Sequence, residues 1–290
     1  MLTSFDSITS ALNAQPVLWY VFAFIFGSCI ASFINVVVWR LPIMLNDEWN
    51  QAAAEQLGVK PPKASGFTLS KPNSHCPHCK HPIRWYHNLP ILGWLILRGK
   101  CADCQTSISS RYPIVELIGG LLGAITAYYF PAGWQGLLAL TLTWTLLTIA
   151  LIDWDTQLIP DAIALPLLWA GLLININGTF INLTEAVVGA AAGYGVLWAC
   201  FKGFQLITGK EGMGYGDFKL LAALGAWFGW QALPAIILIA SISGASFGIA
   251  QRISGHLKAQ QAMPFGPWLA LGGLIHLWWG QPLSELLLKI

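Results

Sequence analysis

Two groups of acidic residues stand at the edges of long apolar stretches. One is Asp153-Trp154-Asp155 with Asp161 just beyond it; the other is the run Gly214-Tyr215-Gly216-Asp217. A carboxylate at membrane depth costs roughly 2.5–3.5 kcal/mol on insertion scales, so it is usually there for a purpose. Two carboxyl groups that share one proton can hydrolyse a peptide bond. One takes a proton from water while the other donates to the carbonyl oxygen. The glycines around Asp217 would let a backbone or a substrate approach its carboxyl group closely.

Each acid also has a plainer role open to it. Asp161 follows Pro160 at the start of an apolar stretch, where a capping or first-turn acid is expected. Asp155 suits a loop or an accessory acid. Asp217 has Lys219 nearby to neutralise it. Glu116 and Glu185 sit near other helix ends and read first as structural. The glycines at 209, 212, 214 and 216 resemble a phosphate cradle only superficially, because no Lys-Ser/Thr ending follows.

A second constellation is cysteine-based. Cys76-Pro77-His78-Cys79 and Cys101-Ala102-Asp103-Cys104 are separated by 21 residues. Two C-x-x-C knuckles at this spacing can offer four thiolates to one tetrahedral zinc. The metal then supplies folding free energy that so small a segment lacks. Two disulfides are the rival arrangement, which a reducing cytosol disfavours. All four ligands come from protein, so the site reads as structural. His75, His78 and His81 read as solvated neighbours, and Cys29 and Cys200, inside apolar stretches, as packing residues.

The elements that must position these groups are membrane helices. The chain has 290 residues, 56% of them hydrophobic and 10% charged, with a mean hydropathy of +0.60. A soluble domain carries about 25% charged residues. A net charge of +2 gives no reason to expect nucleic-acid binding. Apolar stretches near bilayer-spanning length fall at 17–39, 113–130, 134–152, 162–177, 185–207, 218–231, 233–251 and 265–280. The first reads as a retained span, since no basic region or cleavage site precedes it. Many of the 15 Trp residues flank these stretches, as an interfacial belt requires.

The expected fold is therefore an all-α polytopic membrane protein of about eight helices, with a small zinc-binding cytosolic domain after the first. Three segments follow: 1–39, 40–112 with the cysteines, and 113–290 as the helical bundle. The part at 47–71 reads as a loop with a short helix over 48–57. Nine of the fifteen Lys/Arg lie between Arg40 and Arg111, and the positive-inside rule places that segment in the cytosol. Counting onward, Lys202, Lys210, Lys219, Arg252 and Lys258 also fall inside and only Lys289 outside. Both termini are then periplasmic, and both acidic groups face the cytosol.

With these motifs in place, the chain resembles the type IV prepilin peptidase family. The resemblance is carried by GSCIASFINVVVWRLP at 27–42, the tetrad, NLPILGWLILRGKC at 88–101, RYPIVEL at 111–117, LIDWDTQLIPD at 151–161 and GYGDFKLLAALGAW at 214–227. It implies a bacterial inner-membrane enzyme with catalytic aspartates at Asp153 and Asp217. The implied substrates are type IV prepilins and the pseudopilins of type II secretion. Their short basic leader would be cut on the cytosolic side after a Gly that precedes Phe. The new N-terminus would then be methylated from S-adenosylmethionine. The family places methyl transfer with the cytosolic loop, where Gly99 and Lys100, beside Arg98, mark the candidate region; a basic turn supporting the knuckle is the plainer reading. No G-x-G-x-x-G fingerprint accompanies them. A transporter, or an assembly scaffold with a zinc-folded cytosolic domain, is the alternative, though no pair of broken helices in corresponding halves favours transport.

Overall fold

The computed structural model describes residues 2–210, 212–255 and 263–288. Its helices are α1 (Leu2–Ala14), α2 (Pro16–Leu57), α3 (Leu92–Ile96), α4 (Arg111–Tyr129), α5 (Trp134–Thr156), α6 (Asp161–Ile174), α7 (Leu183–Thr208), α8 (Tyr215–Phe228), α9 (Leu233–Ile253) and α10 (Gly266–Leu288). Extended pairing among the described residues is limited to two isolated bridges, His75 with Pro82 and Lys100 with Ser107. A helix stands over each of the eight apolar stretches. Among the described residues five helical segments are long and apolar enough to cross a bilayer: α2, α4, α5, α7 and Trp230–Ile253. This is the architecture of a multi-pass membrane protein.

Three boundaries differ from expectation. The first helix does not end near residue 39: α2 runs unbroken for 42 residues. At about 1.5 Å per residue that is roughly 63 Å, twice the ~30 Å hydrocarbon core. The stretch at 43–57 is polar, yet it contains no glycine and is rich in Ala, Leu, Glu and Gln, which favour helix. The helix stops only at Gly58, whose φ of +64° closes it. The sixth stretch begins earlier and ends sooner than 218–231, because Gly229, at φ +83°, breaks it after Phe228. Asp217 thus lies inside the first turn of α8. Finally, α1 has no apolar run to announce it. Its end is pinned by Asn13, whose side chain donates to the Ala132 carbonyl at 3.0 Å and accepts from the Ala132 amide at 2.8 Å.

The chain divides into two compact units, Met1–Gly136 and Leu137–Ile290. In the first, α2 packs on α4 through small residues. A side chain at Gly119 would overlap Ala31, and one at Gly120 would overlap Ser28. Helices in lipid associate by such close backbone approach, because burial from water no longer drives them together. Arg40, 6% exposed, ties the returning loop to α2. Its guanidinium donates to the carbonyls of Thr68 (2.9 Å), Leu69 (3.4 Å) and Pro72 (2.7 Å).

In the second unit α8 is the central helix. Every residue from Leu220 to Phe228 is buried, as a helix that is apolar all round must be. Helices α6, α7 and α10 pack on it. Gly189 of α7 and Gly225 of α8 meet backbone to backbone, so a side chain at either would strike the other's carbonyl. Asn175, fully buried, donates to the carbonyls of Ala226 and Trp227 and accepts from the amides of Phe180 and Ile181. These contacts fix α8 lengthwise, and with it the position of Asp217. Cys29 and Cys200 lie in α2 and α7 but are exposed, so they face outward and do not pack between helices as expected. Lys258 and Lys289, two of the charges that bear on orientation, lie outside the described residues.

Candidate active site and cysteine cluster

Of the four candidate aspartates, burial separates two from the rest. Asp153 is 5% exposed and Asp217 7%, whereas Asp155 and Asp161 are exposed. Asp153 belongs to the last turn of α5 and Asp217 to the first turn of α8. The two carboxylates are close enough for their charges to act on one another. Their surroundings differ. Asp153 Oδ2 accepts a hydrogen bond of 2.9 Å from the backbone amide of Gly266, the first residue of α10. Asp217 stands three residues after the N-cap Gly214, and its own backbone amide donates to the Gly214 carbonyl at 3.2 Å. Its Oδ1 is buried with no hydrogen-bond partner among the described residues.

Ile159, from the α5–α6 connection, lies against both Gly216 and Gly266. A Cβ on Gly216 would come within 2.8 Å of Ile159 Cβ, and one on Gly266 within 2.9 Å of Ile159 Cδ1. Glycine is therefore needed at both places for the ends of α8 and α10 to close on the same side chain. Lys219 does not neutralise Asp217. It pairs with Asp161, at 2.6 and 2.8 Å to the two carboxylate oxygens. Residues two apart on a helix do not face each other, so Lys219 turns away from Asp217 toward the first residue of α6.

The cysteine tetrad is also assembled. Cys76, Cys79, Cys101 and Cys104 hold their sulfurs within 4.8 Å of one another. The Cys76–Cys104 and Cys79–Cys101 separations are 3.7 and 4.0 Å. A disulfide would need about 2.05 Å; four sulfurs at ~2.3 Å around a tetrahedral ion sit about 3.8 Å apart. The same turn is built twice. The amide of Cys76 donates to the His81 carbonyl and that of Lys80 to the Cys76 carbonyl; the amide of Cys101 donates to Thr106 and that of Gln105 to Cys101. Lys80 and Gln105 hold matching positive φ values, +62° and +58°.

The thiols are unequal. The Thr106 hydroxyl, then its backbone amide, holds Cys104 down at about 6. The amides of Cys79 and His78 pull Cys76 below the ordinary thiol range. Cys79, despite the pull of the His81 amide, is pushed up to about 12 by desolvation and the three neighbouring sulfurs. Four crowded sulfurs cannot all ionise unless a cation is among them, so the donor set fits a single thiolate-bound metal ion.

Comparison with known proteins finds matches along most of the chain. Residues 25–130 match the bacterial peptidase A24 N-terminal domain, and residues 140–249 match the type IV leader peptidase family. A prepilin leader peptidase/N-methyltransferase of Aeromonas hydrophila is 49% identical over 278 residues, covering 94% of this chain and 95% of its own. The chain belongs to the type IV leader peptidase family. Proteins of the same name from Stutzerimonas stutzeri and Pseudomonas aeruginosa are 47% and 46% identical, over 94% and 96% of this chain and 95% and 96% of theirs. No solved structure matches.

Within this leader peptidase fold the remaining candidates have structural partners. Glu116, buried beside α2, accepts from the Ile91 amide at 2.7 Å and so steadies a residue held at φ +63°. Glu185 accepts from Gln231 at 2.9 Å. His75 bonds the Asn73 carbonyl, and His81 lies 3.8 Å from Asp103; neither joins the sulfur cluster. Gly99 is buried at φ +69° beneath the Trp94 ring, while Arg98 and Lys100 flank it in the chain. Sequence reasoning missed Gly266 and Ile159. The run Pro264-Phe265-Gly266-Pro267 carries a signal only for a helix start, with proline just inside it; nothing in it says which carboxylate the first amide will meet.

Proposed function

We propose that this protein removes the leader from type IV prepilins and pseudopilins and then N-methylates the new amino terminus. The observation that carries the peptidase half is the burial of two carboxylates, Asp153 and Asp217, at the converging ends of α5 and α8. In the proposed mechanism one carboxylate takes a proton from the attacking water and the other gives one to the scissile carbonyl oxygen. Asp217 Oδ1, which no described residue engages, suits the carboxyl that exchanges a proton with substrate. Both acids lie at helix ends, where a helical substrate could be cut where it leaves the lipid.

The wider reading has eight spans, periplasmic termini, the 40–112 segment in the cytosol, and the cutting site at the inner rim of the bacterial inner membrane. A basic leader would be retained on that side, and the family resemblance supports cleavage after a Gly that precedes Phe. The segments 1–39, 40–112 and 113–290 serve as anchor, metal-bearing loop domain and peptidase bundle. Zinc held by Cys76, Cys79, Cys101 and Cys104 stabilises the loop domain; a zinc site whose four ligands are all protein thiolates has no open position and supplies folding energy. S-adenosylmethionine is the methyl donor, as a co-substrate, with the surface around Arg98, Gly99 and Lys100 as its candidate region. The test is incubation of the purified full chain in detergent with a peptide of basic leader, Gly-Phe junction and apolar tail. Mass spectrometry is expected to find loss of the leader, and one added methyl when S-adenosylmethionine is present. An intact peptide, or cleavage away from the junction, would refute the reading.

A further inference from the structure

Asp153 occupies an unfavourable place on its own helix. It lies in the last turn of α5, where the helix dipole presents its negative end and the chain offers carbonyls in place of donors. Asp217 lies in the first turn of α8, where the positive end of the helix dipole favours a carboxylate. The donor that α5 cannot give Asp153 comes from another element: the first amide of α10, at Gly266, bonded to Oδ2 at 2.9 Å. The position is also shaped for that contact. A Cβ on Gly266 would stand 2.7 Å from Asp153 Oδ2 and 2.9 Å from Ile159 Cδ1; both are closer than real Cβ contacts come.

We propose that the α10 amino terminus is a third component of the aspartyl site, with Gly266 as a positioning residue that holds Asp153 by its Oδ2 and leaves Oδ1 for the reaction. The inference rests on the dyad reading above. It gives α10, which contributes no acid to the dyad, a specific role, in which its first peptide group sets the rotamer of a catalytic carboxylate. Helix N-termini bind anions by this combination of free amides and dipole, and here the anion is a side chain of the same protein.

The experiment compares Gly266→Ala with Gly272→Ala in the full chain in detergent, following leader cleavage and thermal unfolding. Gly272 is a fair control. It lies in the same helix, and its Cβ would stand 2.7 Å from the Ile236 backbone carbonyl of α9, which cannot swing aside as the side-chain ends facing Gly266 can. Displacing a reacting group by about an ångström can cost on the order of a hundredfold in rate. Gly266→Ala is expected to lower kcat by at least about tenfold, with KM within about twofold and Tm near that of the parent, because substrate binding is left alone. Gly272→Ala is expected to lower Tm and leave kcat of the folded fraction unchanged. Should Gly266→Ala fail to accumulate, the double variant Gly266→Ala/Ile159→Ala removes the apolar conflict, keeps the one with Asp153, and is expected to have the same low kcat. Unchanged kcat in Gly266→Ala or the double variant would overturn the proposal, as would a kcat loss that Gly272→Ala matches. Asp153→Asn, measured alongside, separates the two levels. If it cleaves normally the dyad itself is wrong; if it is inactive while Gly266→Ala is normal, only the role of Gly266 falls.

Discussion

The cysteine cluster and the aspartate pair are built on opposite principles. Each knuckle is local: its hydrogen bonds close within five residues, and one turn with one positive-φ corner is used twice. The aspartyl site is non-local. Asp153, Ile159, Asp217 and Gly266 come from the end of α5, the following loop, the start of α8 and the start of α10. Their meeting depends on how helices slide and pack in the Leu137–Ile290 unit. A site made of turns tolerates changes in distant packing, whereas a site made of helix ends is sensitive to every contact that sets helix height.

The largest expected effect follows from that sensitivity. Gly225→Leu would force α7 and α8 apart at their backbone contact. Overpacking alone costs about 1–3 kcal/mol and more where backbone must move, so the protein should fail to accumulate in membranes, as immunoblotting of membrane fractions would reveal. Normal levels with normal cleavage would mean that α8 need not sit where it does.

Replacing all four tetrad cysteines by Ser comes next. Bound metal by mass spectrometry should fall from about one equivalent per chain to none, in keeping with a four-ligand site, and the 59–110 segment should become sensitive to protease. Membrane insertion should persist. A metal content equal to the parent's would remove the tetrad as the site.

Asn175→Ala deletes four hydrogen bonds at the far end of α8. Each buried group left unpaired costs about 1–3 kcal/mol, so Tm should fall, and cleavage by the folded fraction should fall with it, because these bonds hold α8 and Asp217 at their height. The smallest effect belongs to Asp161→Asn or Lys219→Met. This ion pair is largely exposed, with Asp161 56% accessible, and such pairs contribute about 0–1 kcal/mol. Tm should barely move; a large loss of cleavage in either variant would show that the pair belongs to the chemistry.

The same contrast explains what is legible in the sequence. Cysteine spacing encodes a knuckle almost completely, because two residues between sulfurs determine the turn. The aspartates can be read as residue types at apolar boundaries, but Asp155 and Asp161 carry the same signal, and only burial separates them from Asp153. The apolar stretches locate the helices. The polar helix after the first span is legible only in part: a short helix over 48–57 can be read, but not its continuity with the span before it, which the absence of glycine before Gly58 makes possible. Gly266 is illegible, since its role exists only once α10 stands against α5.

The most direct test of the account is leader cleavage by Asp153→Asn and by Asp217→Asn, each assayed separately in membranes with prepilin substrate at matched protein levels. If the two acids pass one proton between them, each substitution alone should reduce cleavage by on the order of a thousandfold or more, since residues that act as a unit fail together. Cleavage at the parental rate by either variant would contradict the account.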